Sequence, residues 1–161
     1  MRTGYRYFTD IQDMPRIVSQ LSVKTIIFDI EPLVAWWDSS RDALDQGIAR
    51  VLSQVAAVPG LLVVCFATNS ARRPSVVPDG AGIRVIYLAS AGKPLHTAAY
   101  RQLPRPGVVI GDQVLTDGML ARRLGYTFLH YTPEQSASPL GPRLLSRSGD
   151  LARPLLFPHE R

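Results

Sequence analysis

The sequence predicts an α/β domain with a central parallel sheet of about five strands and helices on both faces. Three observations lead there. Short, β-branched apolar runs recur along the 161 residues, and they are continuous rather than alternating, as in strands buried on both faces. Stretches of helical periodicity lie between the runs. The chemically capable polar residues follow directly after the runs, at the strand ends where open α/β sheets bind ligands.

Thr25-Ile-Ile-Phe-Asp29 reads as the first strand. Leu44, Ile48, Val51, Leu52 and Val55 then recur at helical spacing, with Ser39 and Asp42 placed like a capping box before them. Leu61 to Phe66 is a second strand, entered through Pro59-Gly60, and Ala71 to Gly82 reads as a short helix or a loop. Arg84 to Leu88 is a third strand, and Pro94 to Leu103 a helix with its proline at the tolerated N-terminal position. Val108 to Ile110 is the fourth strand. A helix over Val114 to Leu124 is ended by Gly125, and Tyr126 to Tyr131 is the fifth strand. From Thr132 onward Pro133, Pro139, Pro142, Pro154 and Pro158 break the pattern. Residues 1–161 are therefore read as one domain, with 132–161 an irregular extension packed on it or covering the site.

Composition narrows the classes. With 46% hydrophobic residues the chain can bury a core, and it has no apolar run long enough to span a bilayer. No secretory leader is read at the start, and the one cysteine, Cys65, lies inside a strand run; both fit a reducing, cytoplasmic setting. A net charge of +5 favours anionic ligands without choosing among them. No basic stripe interleaves with aromatics, so no nucleic-acid partner is expected. His96, His130 and His159 lack metal-ligand spacing, which argues against zinc.

The strand ends carry the chemistry. Asp29 and Glu31 end the first strand; Thr68, Asn69 and Ser70 follow the second; Lys93 follows the third; Asp112 ends the fourth, with Asp117 about one turn beyond. Each residue has an ordinary explanation: a strand-terminating acid, a turn, a surface lysine, a helix cap. Lys93 is one of two lysines in a chain that otherwise uses arginine. Together these residue types suit phosphoryl transfer through a carboxylate nucleophile. That chemistry needs a hard cation on oxygen ligands, a lysine to hold phosphate and nucleophile together, and hydroxyl and backbone donors for the remaining oxygens.

In order, Phe28-Asp29-Ile30-Glu31, Ala67-Thr68-Asn69-Ser70, Gly92-Lys93-Pro94 and Gly111-Asp112-Gln113-Val114-Leu115-Thr116-Asp117 resemble the four motifs of the haloacid dehalogenase (HAD) superfamily. Ile110 to Gly125 is similar to the YqeG-type branch, which is related to phosphatidylglycerophosphate phosphatases; the resemblance covers roughly Ser22 to Tyr131. It implies a Rossmann-like HAD fold with no cap domain and a Mg²⁺-dependent phosphomonoesterase acting on a phosphorylated, lipid-linked or otherwise large substrate. By position it makes Asp29 nucleophile and metal ligand, Glu31 acid/base and metal ligand through its carbonyl, and Asp112 a further metal ligand. Thr68 and Asn69 would bind phosphate, Lys93 would bridge phosphate and nucleophile, and Asp117 would support the site or hold Lys93. A homo-oligomer and a peripheral membrane contact are both compatible with such an open site.

The chain departs from that pattern at Glu31-Pro32-Leu33, where the family has aspartate and, two residues on, a small hydroxyl residue. One added methylene moves a carboxyl by about 1 Å, a misplacement that can cost on the order of a hundredfold in rate. The alternative reading is a catalytically weakened HAD-fold module that binds a phosphorylated ligand or a protein partner. Of Trp36 and Trp37, one is expected to pack and the other to line the site mouth or touch lipid. Arg72 and Arg73 are read as a solvated face, with recognition of a second anion as the sharper option.

Overall fold

The structure, a computed structural model, describes residues 4–80, 82–132, 148–149 and 151–158. Its strands are β1 (Tyr5–Phe8), β2 (Thr25–Asp29), β3 (Val63–Ala67), β4 (Arg84–Leu88), β5 (Gly107–Gly111) and β6 (Thr127–Tyr131). All pairings are parallel, in the order β1-β6-β5-β2-β3-β4. Among the described residues the sheet has six strands, where about five were expected. The additional one, β1, is a four-residue edge strand in which Arg6 and Tyr7 are exposed. A four-residue run interrupted by Arg6 is too short to carry a continuous buried-strand signal in the sequence and is recruited by pairing with β6.

Helices cover both faces, because successive strand residues point to opposite sides. Ile26, Phe28, Val64, Phe66, Val108 and Ile110 pack against α1 (Met14–Ser19) and α2 (Arg41–Val55). Ile27, Cys65, Val109 and Phe128 face the other way, toward α3 (Met119–Leu124) and the segment around Tyr100. Buried among them, the Cys65 thiol has its pKa pushed up to about 12 by desolvation, which makes it inert.

Local chemistry sets the helix ends. Ser40, one residue beyond the expected Ser39, caps α2 by accepting a hydrogen bond from the Ala43 N–H at 3.1 Å. Gly125 ends α3 in the left-handed conformation, φ 67°, which a side chain would disfavour. The helix expected over Pro94 to Leu103 is reduced to one 3₁₀ turn at Ala98–Tyr100, and residues 71–80 form a loop. Burial of Tyr100 and Leu103 against the sheet holds that segment without regular helical bonding.

One close approach has a measurable consequence. A Cβ on Gly47 would overlap the Val34 carbonyl oxygen, which belongs to the loop leading out of the candidate site. Gly47→Ala is therefore expected to destabilise the protein by about 1–3 kcal/mol despite the better helix propensity of alanine. Urea denaturation reads this directly; an unchanged midpoint would mean that α2 does not seat against the loop in this way.

In the extension, residues 151–156 are helical and Phe157 is buried against Tyr5 and Phe128, at ring distances of 5.2 and 5.8 Å. Arg122 ties this segment down by donating to the Leu156 carbonyl at 2.6 Å. The rest of the expected irregular extension, residues 133–147, 150 and 159–161, lies outside the described residues. Among the described residues no helix is long and apolar enough to cross a membrane.

Candidate active site

From β2 the chain proceeds outward through β3 and β4, then returns to the other side of β2 to lay down β5 and β6. The order reverses between β2 and β5, and the crevice at such a switch point is where open parallel sheets bind ligands. Phe28 is level with Ile110, and Asp29 with Ala67. Asp29, Thr68 and Asp112 therefore leave three adjacent strands at the same edge.

Lys93 organises the centre. Its ammonium lies 2.8 Å from Asp29 Oδ1 and 2.7 Å from Asp117 Oδ1, in surroundings where all three side chains are buried. Asp117 reaches it because the chain after Gln113 starts with a π-helical turn, Val114–Gly118, before α3 begins. Such wide turns are frequent at functional sites. The helix expected from Val114 thus begins as a different winding. Gly111 lets the carboxylate in, since a Cβ there would overlap Asp117 Oδ2. Asp29 Oδ1 also accepts from the Ile30 N–H at 2.8 Å. Asn69 fixes the lysine's backbone, accepting from Lys93 N–H at 2.7 Å and donating to its carbonyl at 2.9 Å.

Asp29, Asp112 and Asp117 each bring a carboxylate oxygen within 4.8 Å of the others. Asp112 Oδ1 is buried and has no hydrogen-bond partner among the described residues. The residue's backbone carbonyl is held by His130 Nε2 at 3.1 Å, a buried contact from β6. Three carboxyl groups share one ammonium in a buried space. A set of hard oxygen donors with an orphaned carboxylate oxygen fits a divalent cation such as Mg²⁺.

Glu31 is not one of the three grouped carboxylates, although it shares the pocket with Asp29 and Lys93. Its carboxylate turns toward the end of β3, accepting from Thr68 Oγ1 at 2.8 Å, Ser70 Oγ at 3.4 Å and the Arg72 guanidinium at 3.4 Å. Arg72 is more than a solvated cation, for it also donates to the Trp36 and Ser39 carbonyls at 2.7 and 2.9 Å. It thereby clamps the loop after β2 to the loop after β3.

Asp29, Glu31, Thr68, Asn69 and Lys93 line a single pocket of about 180 Å³. Trp37, Ser70, Arg72, Gln113 and Thr116 also line it. Gln113 and Thr116 carry no separate signal in the sequence beyond their place inside the string from Gly111 to Asp117. Arg72 could be placed only by seeing which loop it crosses. Trp37 lines the mouth, while Trp36 is 45% exposed beside it, with ring centroids 5.8 Å apart.

The chain is similar to a probable phosphatase. It is 28% identical over 131 residues to the probable phosphatase YqeG of Bacillus subtilis (strain 168), a match covering 76% of this chain and 72% of that protein. No family model matches the chain, and no solved structure matches it.

The electrostatics follow from the crowding. Burial, and then the charge of Asp117, hold the Asp29 carboxyl well above the usual carboxylate range against the pull of Lys93. Burial and Asp117 likewise push Asp112 up to about 8. Burial alone would lower Lys93, but Asp117 and Asp29 outweigh it and raise the ammonium further, so it stays charged. For Asp112 the folded value lies above the unfolded one, 3.8. Its contribution to stability is thus fully present below about pH 4 and is lost as pH rises through about 8. In EDTA the wild-type protein should show a urea midpoint that falls over that interval, with a shallower fall in Asp112→Asn. Parallel slopes for the two proteins would show that Asp112 is not the group responsible.

Proposed function

We propose that this protein is a Mg²⁺-dependent phosphomonoesterase of the haloacid dehalogenase type, working through an aspartyl-phosphate on Asp29. The observation that carries the reading is the buried Lys93 held jointly by Asp29 and Asp117, with Asp112 beside them, at the switch point of a parallel sheet. The similarity to a probable phosphatase supports the phosphatase part of this reading.

In this reading both hydrogen bonds of Asp29 fall on Oδ1, so Oδ2 is the oxygen that attacks phosphorus. The new P–O bond forms as the bond to the leaving alcohol breaks. Lys93 bridges Asp29 and a phosphoryl oxygen, and Thr68 together with backbone N–H groups binds the others. Glu31 protonates the departing alkoxide and then takes a proton from the water that releases phosphate and regenerates Asp29. Asp29, Asp112 and the Glu31 carbonyl are the residues assigned to the cation, with Asp117 holding Lys93. Bound there, Mg²⁺ would supply positive charge that draws anionic phosphate to an anionic nucleophile. An open mouth with Trp37 on its wall and Trp36 exposed suits a large or lipid-linked phosphate.

A second reading has its own observation. The Glu31 carboxylate is engaged by Thr68, Ser70 and Arg72 instead of being free for proton transfer, which suits a module that binds a phosphorylated ligand without turnover. Phosphate release from sugar, nucleotide and lipid phosphates, with and without Mg²⁺, separates the two. Metal-dependent release supports the enzyme. No release at high protein concentration, also absent in Glu31→Asp, would leave the binding module.

A further inference from the structure

The side chains that receive Glu31 form an anion site in their own right. Thr68 Oγ1, Ser70 Oγ and the Arg72 guanidinium converge on one carboxylate, and all three line the same pocket as Asp29 and Lys93. Three donors serve two carboxylate oxygens, and the two that meet Oε1 stand off at 3.4 Å. That exceeds the roughly 2.7–2.9 Å of a well-made charge-assisted bond. The cradle is wide for a carboxylate. A phosphoryl group, with three acceptor oxygens, uses all three donors.

We propose that Thr68, Ser70 and Arg72 form the cradle for the substrate's phosphate and that Glu31 fills it in the ligand-free protein. This deepens the reading above, on which it rests for the assignment of Thr68 to phosphate. Ser70 and Arg72 become phosphate-binding residues. Glu31 becomes an internal competitor whose displacement frees both the cradle and its own carboxylate for proton transfer. The length of the side chain decides this. Glu31 spans the gap to β3, whereas an aspartate falls short by roughly 1 Å, enough to break hydrogen bonds already at the limit of range. Arg72 would keep its bonds to Trp36 and Ser39 throughout, so the cradle is preformed rather than assembled on binding.

The test is binding of inorganic phosphate in the presence of Mg²⁺, followed by calorimetry, with no turnover in the readout. If the open cradle is populated about a tenth of the time or less, wild-type affinity is weakened roughly tenfold or more. Glu31→Asp keeps the charge and shortens the reach, so it is expected to bind phosphate roughly tenfold tighter. Adding Ser70→Ala or Arg72→Met to Glu31→Asp should remove most of that gain; the serine variant guards against loss of the Arg72 loop clamp. Equal affinity in wild type and Glu31→Asp overturns the proposal, because charge rather than occupancy would then set binding. A gain that survives both added substitutions overturns it as well, by moving phosphate elsewhere. Should tighter binding appear as expected while no variant releases phosphate from any ester, the cradle stands and the phosphatase reading falls.

Discussion

Asp29→Asn is expected to abolish metal-dependent phosphate release, by roughly a thousandfold or more, the scale on which loss of a catalytic nucleophile is felt. Asparagine matches aspartate in shape, so the pocket and the Ile30 contact can persist. The amide lacks the anionic oxygen that forms the acyl phosphate. The same substitution should leave the fold at least as stable in metal-free buffer. Asp29 sits buried beside Asp117, with its charged form disfavoured by desolvation, and Lys93 retains Asp117 as a partner. Loss of activity with no loss of stability is what a functional charge in an unfavourable place produces. Single-turnover phosphate release and urea denaturation on the same preparation check both halves. A variant that keeps a tenth of the wild-type rate would show that Asp29 is not the nucleophile.

Lys93→Met should be the most destabilising change in the site. It leaves Asp29, Asp112 and Asp117 around a buried space with no ammonium among them. Removing one partner from a buried ion pair typically costs about 3–5 kcal/mol. The carboxyls of the variant will take up protons to relieve the repulsion, so the loss should grow as pH rises. Lys93→Arg is not expected to rescue it. The lysine side chain is only 2% exposed, and a planar guanidinium does not fit where a point charge bridges two carboxylates. Urea midpoints at pH 6 and pH 8, in EDTA and in Mg²⁺, test this. A variant as stable as wild type at both values would mean that the lysine is dispensable to the cluster.

The sequence by itself determined much of the architecture. Continuous β-branched runs placed β2, β3, β4, β5 and β6 to within about two residues. Spaced leucines, isoleucines and valines placed α2, and Gly125 marked the end of α3. Because ligand sites in such sheets lie past the strand ends, it also picked out Asp29, Thr68, Lys93, Asp112 and Asp117, which the structure gathers at one edge. Periodicity and turn chemistry are short-range, and they can be read wherever burial is uniform along an element.

Only the tertiary structure decided the rest. The β1 edge strand exists because β6 offers it unpaired backbone groups, a partner that lies more than a hundred residues away in sequence. The segment after Pro94 gave up its helix to bury Tyr100 and Leu103. The direction of Glu31 was legible least of all. Two residues beyond Asp29, it could have faced the carboxylates or turned from them. The donors of Thr68, Ser70 and Arg72 on a neighbouring strand's loop set it toward β3. A buried charge is oriented by the charges and donors that the fold brings to it, and those come from remote parts of the chain.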